Sequence, residues 1–196
     1  MIDTYRAAGY PALAIRTEDE DSVRASLAGH RPATYSARGR LIGPNGSTLL
    51  EPCNYAQAFA WAADGETRLL IVLDAQHVIS NAPVYRALLD CIPAVKSRGS
   101  MIVLIAPAWS LPAELAHHVP VIDWDLPGPD ARLAILRELA AQAGQQITDS
   151  SALAGASSGL TIEETESAGA LALSLIHISE PTRLLSSSYA VFCLKK

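Results

Sequence analysis

Residues Arg68 to Gln76 read RLLIVLDAQ, five consecutive apolar residues that run straight into an acid, Asp74. A short unbroken apolar run rich in branched side chains is the pattern of a strand buried on both faces of a parallel sheet. An acid at the carboxyl end of such a strand lies in the crevice where open α/β sheets bind their ligands. Asp74 is therefore the first candidate for a nucleotide or metal site, and the rest of the chain must supply its partners.

Around that strand the chain alternates between helix and strand. Ile2 to Ala8 predicts a short helix stopping at Gly9, and Pro11 to Ile15 the first apolar strand. A dense acidic turn follows, Glu18-Asp19-Glu20-Asp21, with Thr17 as N-cap and Glu20 at capping-box spacing, opening a helix to Ala28. Ala33 to Ser36 predicts a second strand. Apolar residues flank Pro44-Asn45-Gly46 in RLIGPNGSTLL, a hairpin signal. Asn54 caps a helix, YAQAFAWAA. Beyond the opening strand come a helix over Val84 to Val95, a buried strand over Ser100 to Ala106, the short helix LPAEL, and a last strand over Val119 to Trp124. After Pro127-Gly128-Pro129 the pattern is purely helical, with Asp130 as the cap of the first helix and a polar loop before the last. Five strands alternating with helices predict an α/β three-layer sandwich with a mostly parallel five-stranded sheet and right-handed crossovers. The expected boundaries are an α/β domain over 1–126 and a partial, truncated helical lid over 127–172.

The final stretch is set apart. LSLIHISEPTR (Leu173 to Arg183) and SYAVFCLKK (Ser188 to Lys196) resemble the translation of a transposase-end sequencing adapter, both arms in order. The resemblance implies that 173–196 is a non-native tail, to be kept out of fold reasoning. The formal net charge of the whole chain is −5. Without Glu180, Arg183, Lys195 and Lys196 it falls to about −7, which argues against direct nucleic-acid binding. Cys53 and Cys91 then remain, with neither metal-ligand spacing nor a disulfide framework. No apolar run reaches the ~20 residues that span a bilayer, and no secretory signal opens the chain, so a cytoplasmic location without membrane contact is expected.

The order of elements is similar to that of an AAA+ ATPase. The strand ending in Asp74, a helix, a second apolar strand, LPAEL, VPVIDWDLP and DARLAILREL run in that family's order. GLTIEETESAGALA resembles the family's lid segment. More narrowly, AGYPALAIRTED and ATYSARGRLIG look like the amino-terminal, P-loop-lacking half of a plastid and cyanobacterial-type AAA+ family. The resemblance implies a P-loop NTPase-like fold, a downstream AAA+ module of the same chain, ATP and Mg²⁺ as cofactors of the parent protein, and a homo-oligomer. It makes Asp74 a remnant of the Walker B acid and Arg132 a candidate site arginine.

The departures from that family concern the chemistry. An active member places G-x-x-x-x-G-K-[ST] after its first strand, where glycine amides and a lysine cradle phosphates. This chain has RTEDEDSV there. Carboxylates a few ångströms apart repel by about 1 kcal/mol even in a water-like medium, and they compete for the positive helix end a phosphate would use. GPNGST (Gly43 to Thr48) superficially suggests a phosphate loop, but Ser47 stands where the lysine is required. Ala75 and Gln76 follow Asp74 where a second acid belongs, and the next strand ends in Ala106-Pro107 without a polar sensor. Asp74 is thus read as a structural acid capping a turn, with metal ligation as the lesser reading. His77 reads as solvated or hydrogen-bonded, His117-His118 as ending a short helix at the negative end of its dipole, Arg132 as a surface ion-pair former, and Trp109 and Trp124 as buried against the lid.

Three functions compete. The first is a non-catalytic AAA-like domain with a structural or regulatory role for a downstream ATP-hydrolysing module, with no cofactor bound in this fragment. The second supplies an arginine in trans to an ATP site elsewhere, from Arg132, Arg98 or Arg86. The third is a receiver-like signalling domain with Asp74 as phosphoacceptor, although Ala106 and the absence of a lysine after the last strand depart from that pattern.

Overall fold

In the computed structural model of the chain, which describes residues 2–178 apart from Gly65 and Thr67, the described residues fall into two compact units that divide between Trp124 and Asp125. The first opens with α1 (Ile2–Ala7), β1 (Ala12–Arg16) and α2 (Glu20–Leu27). β2 (Ala33–Ser36), β3 (Arg40–Ile42), β4 (Thr48–Leu50), α3 (Tyr55–Ala63) and β5 (Leu69–Leu73) follow. α4 (Ala82–Ser97), β6 (Met101–Ala106), α5 (Ala113–Ala116) and β7 (Val121–Asp123) complete it.

One sheet holds all seven strands, in the order β4-β3-β2-β5-β6-β1-β7. β2, β5, β6, β1 and β7 are parallel neighbours, as the apolar runs predict. The sheet is two strands wider than the five expected. The hairpin arms are not a detached excursion: β3 pairs antiparallel with β2, and β4 with β3. Leu41 explains the addition, since it is fully buried and joins the core on the same face as Ala33 and Tyr35. At the turn, Gly46 donates its N–H to the Gly43 carbonyl at 2.9 Å and takes a φ of 78°. Gly46 alone adopts the left-handed conformation there, whereas Asn45 orders the turn by accepting from the Ser47 hydroxyl at 2.7 Å.

Strand alternation divides the interior into two cores. Ala12 and Ala14 of β1 point to the face covered by α3 and α4, with Phe59, Leu70, Val72, Leu88 and Leu104. Leu13 and Ile15 point to the other, with Ile2 of α1, Val23 and Leu27 of α2, Ile71 and Val103. β5 and β6 are buried throughout, each fully buried Leu, Ile or Val stabilising the fold by roughly 1.5–3 kcal/mol.

The second unit contains α6 (Pro129–Gln142), α7 (Ser150–Ala156) and α8 (Ile162–Ile178). α7 lies in the stretch expected to be a polar loop. Asp149 starts it by accepting the Ala152 N–H at 2.9 Å. The cap of α6 is Gly128 with Pro129 at the first helical position, so Asp130 sits in the first turn and is not the cap. α8 opens with a reciprocal Thr161–Glu164 capping box and lies so close to α6 that a Cβ on Gly169 would come within 2.8 Å of Leu136 Cδ2. α8 continues through residues 173–178 of the stretch assigned to the adapter-like tail, and the remainder of that stretch, with Cys193, lies outside the described residues. Among the described residues no helix is long and apolar enough to cross a membrane.

Candidate functional site

The carboxyl ends of β1, β5 and β6 lie side by side, with Arg16 opposite Ala106 and Leu73 opposite Ile105. They open onto a crevice of about 280 Å³ lined by Thr17, Glu18, Glu20, Asp74, Gln76, Ala106 and Pro107. It sits where the apolar runs of the sequence place it, and it contains Asp74.

Three residues, Thr17, Glu18 and Asp19, join β1 to α2. Thr17 donates its N–H to the Ala106 carbonyl at 3.0 Å, and its hydroxyl oxygen accepts the Asp19 N–H at 2.9 Å. Thr17 is therefore not the helix cap: Asp19 is, accepting the Ser22 N–H at 2.9 Å. Asp19 wins because its carboxylate reaches the third amide of the helix and complements the positive end of the helix dipole. The amide end that would hold a phosphate is thus already occupied by a side chain of the protein itself. A link of three residues also leaves no length for a loop that wraps phosphates.

Asp74 is exposed, and its backbone is left-handed, with φ 60° and ψ 12°. It does close a turn, but through its carbonyl, which accepts the His77 N–H at 3.4 Å; its carboxylate makes no cap hydrogen bond. Asp74 thus caps the 3₁₀ turn 75–77 with its main chain and leaves its carboxylate out of the cap. Its charge is felt by two neighbours. The Glu20 carboxyl is raised above its ordinary value, chiefly by burial, with Asp21 and Asp74 adding to the effect and Arg24 opposing it. The Tyr55 hydroxyl is raised by burial and then by Asp74. Arg24 lies 3.3 Å from Asp21 and 3.9 Å from Glu20, so its guanidinium is shared between two acids. Arg16 is paired with Asp123 at 3.3 Å.

The other candidates disperse. His77 is exposed, its ring nitrogen 3.1 Å from the Gln76 amide. His117 and His118 are exposed at the end of α5. Arg132 is buried and not a surface ion-pair former: its guanidinium donates to Ser157 Oγ at 3.4 Å and to the Pro127 carbonyl. The helix that the sequence did not predict, α7, supplies the ending at Ser157 that draws it inward. Arg86 pairs with Asp90 at 2.8 Å. The two tryptophans are anchored within the first unit. Trp109 donates its indole N–H to the Ile15 carbonyl at 2.9 Å, and Trp124 donates to Ser22 Oγ at 3.2 Å. Both thiols, Cys53 and Cys91, are pushed up by burial, which makes them poor nucleophiles. Among the described residues no group of three or more His, Cys, Asp or Glu side chains is placed to hold a metal ion.

These residues do not fit a nucleotide triphosphate. No lysine or glycine lines the crevice, and three carboxylates do. The strand order also separates the chain from a receiver. Counting only the parallel strands in chain order, this sheet runs 2-3-4-1-5, whereas the flavodoxin-like receiver order is 2-1-3-4-5.

A parallel sheet of this order, with its crevice at the strand ends and a helical unit after its last strand, is the AAA+ ATPase fold. A chain of the HORMA–CdnC–Trip13 complex from E. coli MS115-1 superposes with a TM-score of 0.59 at 14% identity, covering 97% of this chain and 75% of that one. A katanin structure concerned with self-assembly gives 0.56 at 14% identity, covering 90% and 64%. AMPPCP-bound DnaA from Aquifex aeolicus gives 0.51 at 13% identity, covering 90% and 59%. The chain belongs to the family described as SpoVK-like AAA ATPase, N-terminal domain, whose pattern matches residues 1–124. Compared with curated proteins, the sequence finds no match. The chain spans about three fifths of the length of the first solved structures it resembles.

Proposed function

We propose that this chain is a non-catalytic amino-terminal AAA-like domain, structural or regulatory in role, serving an ATP-hydrolysing AAA+ module that follows it in the parent protein. One observation carries the reading: the position that receives phosphates in an active relative is filled by Asp19 on the α2 amides and ringed by Glu18, Glu20 and Asp74. An anion entering it meets carboxylates in place of a lysine. On this reading Asp74 is a structural remnant of the magnesium-site acid, ATP and Mg²⁺ belong to the downstream module, and residues 127–172 are a partial lid. The nucleotide-bound DnaA structure supports nucleotide use by that module, and the katanin self-assembly structure supports a homo-oligomeric parent. A cytoplasmic location and the absence of direct nucleic-acid contact belong to the same reading, the latter from the acidic charge.

Isothermal titration of the chain with Mg-ATP tests it. No heat of binding up to millimolar nucleotide is expected, and a micromolar dissociation constant abolished by Asp74→Asn would overturn the proposal.

A further inference from the structure

A second groove lies towards the end of α2, whereas the acidic crevice lies at its start, and its chemistry is inverted. β5, β2 and β3 place Ile71, Thr34 and Ile42 in one cross-strand row, with Thr34 opposite both isoleucines in register. α2 covers only the first of them. Ile71 is fully buried, whereas Ile42 remains 37% exposed. The end of α2 and the turn carrying Pro44 rise as walls on either side, enclosing about 330 Å³. Two guanidiniums, Arg24 and Arg31, line it, and no carboxylate does.

Arg24 is held by Glu20 and Asp21. Arg31 has no ion pair or side-chain hydrogen bond among the described residues, and the Thr34 hydroxyl has no hydrogen bond there either. Arg31 also stands at a φ of 52°, a conformation that glycine adopts without steric cost. A chain of net charge −5 thus keeps an unpaired cation at a position its backbone would yield to glycine.

We infer that this groove docks an acidic peptide segment of a partner protein, one carboxylate pairing with Arg31 and a neighbouring apolar side chain covering Ile42. Ile42, 37% exposed, gives such a side chain an apolar contact that a free anion would leave uncovered. Two guanidiniums on a chain of net charge −5 do not form the extended cationic track that a nucleic-acid backbone requires. The inference is independent of whether the crevice binds nucleotide.

A random-heptamer phage library panned on the full chain tests it, followed by fluorescence anisotropy with the enriched peptides. Peptides that join an acidic residue to an apolar neighbour are expected. Their binding should weaken at least tenfold in Arg31→Gly, whose backbone suits the substitution, and in Ile42→Asp. Arg38→Gly, an exposed arginine off the groove, should leave it unchanged. Enrichment of basic peptides or of no class, binding that survives Arg31→Gly, or displacement of the peptide by millimolar inorganic phosphate overturns the inference. So does a self-associated state that Arg31→Gly dissolves without any peptide.

Discussion

The indole N–H of Trp109 donates to the main-chain carbonyl of Ile15 at 2.9 Å, closing the carboxyl end of β1 from a residue 94 positions further along the chain. Ile15 is the last buried residue of the strand before the link that would otherwise turn around phosphates. The bond fixes the loop after β6 to that strand end. Trp109→Phe keeps the ring packed but removes the donor, so a loss of about 0.5–1.5 kcal/mol is expected in urea denaturation. An unchanged midpoint would show that the bond adds nothing to the fold.

Arg132 is 7% exposed and holds the start of α6 to the end of α7 through Pro127 and Ser157. Arg132→Ala is expected to cost about 1.5–3 kcal/mol, the scale of hydrogen bonds made by charged groups. Arg132→Lys should not restore it, since an ammonium cannot span both acceptors as the planar guanidinium does. Hydrogen exchange of the α6 and α7 amides reads the outcome directly.

Glu20 gives the acidic crevice a pH signature. Its carboxyl is raised above 4.5, mainly by burial, so the folded state holds the proton to higher pH than the unfolded chain does. Glu20 therefore subtracts stability as pH rises above 4.5, and the penalty is fully developed at neutral pH. Glu20→Gln should stabilise the protein at pH 7 by under about 1 kcal/mol, the scale of exposed charges. Thermal melts of the two proteins should converge below pH 4.5.

At the alkaline end the corresponding group is Tyr35, whose hydroxyl donates to the Cys53 carbonyl at 3.3 Å. Burial, then Tyr55 and Cys53, push its pKa from 10.0 up to about 12. Between those values the native state keeps a proton that the unfolded chain loses, so stability falls as pH rises through that window. Tyr35→Phe should flatten that fall, and an ultraviolet phenolate titration should lose its latest-ionising component.

Features governed by local periodicity were readable from the sequence. The apolar run of β5 announced its own burial on two faces, and Asn54 caps α3 as expected, with Gln57 completing a capping box that the structure adds. The likeness to AAA+ ATPases in the order of elements matched the family that the fold defines. What escaped was set by distant partners. β3 and β4 have three residues each and a single fully buried side chain between them, Leu41, too little alternation to declare themselves part of the sheet. Thr17 and Asp19 are both residue types that cap helices, and the choice falls to Asp19 because its carboxylate reaches the Ser22 amide while the Thr17 hydroxyl is taken by the Asp19 N–H. The inward turn of Arg132 depends on Ser157, which belongs to a helix too short and too rich in small residues to stand out. The crevice acids were legible, whereas the basic groove was not, because Ile42 is brought to Thr34 and the neighbouring Arg31 only by sheet register.

The strand order carries a consequence for how the protein comes off the ribosome. β1 precedes the other six strands of this sheet in the chain, yet Ala12 lies opposite Ile102 and Ala14 opposite Val121. Neither edge of β1 can pair until the final third of the unit has been translated. At about 5–20 residues per second, the nascent chain carries Leu13 and Ile15 without their neighbours for on the order of ten seconds. The strand one in from the β7 edge of the finished sheet is the one that waits longest for its partners.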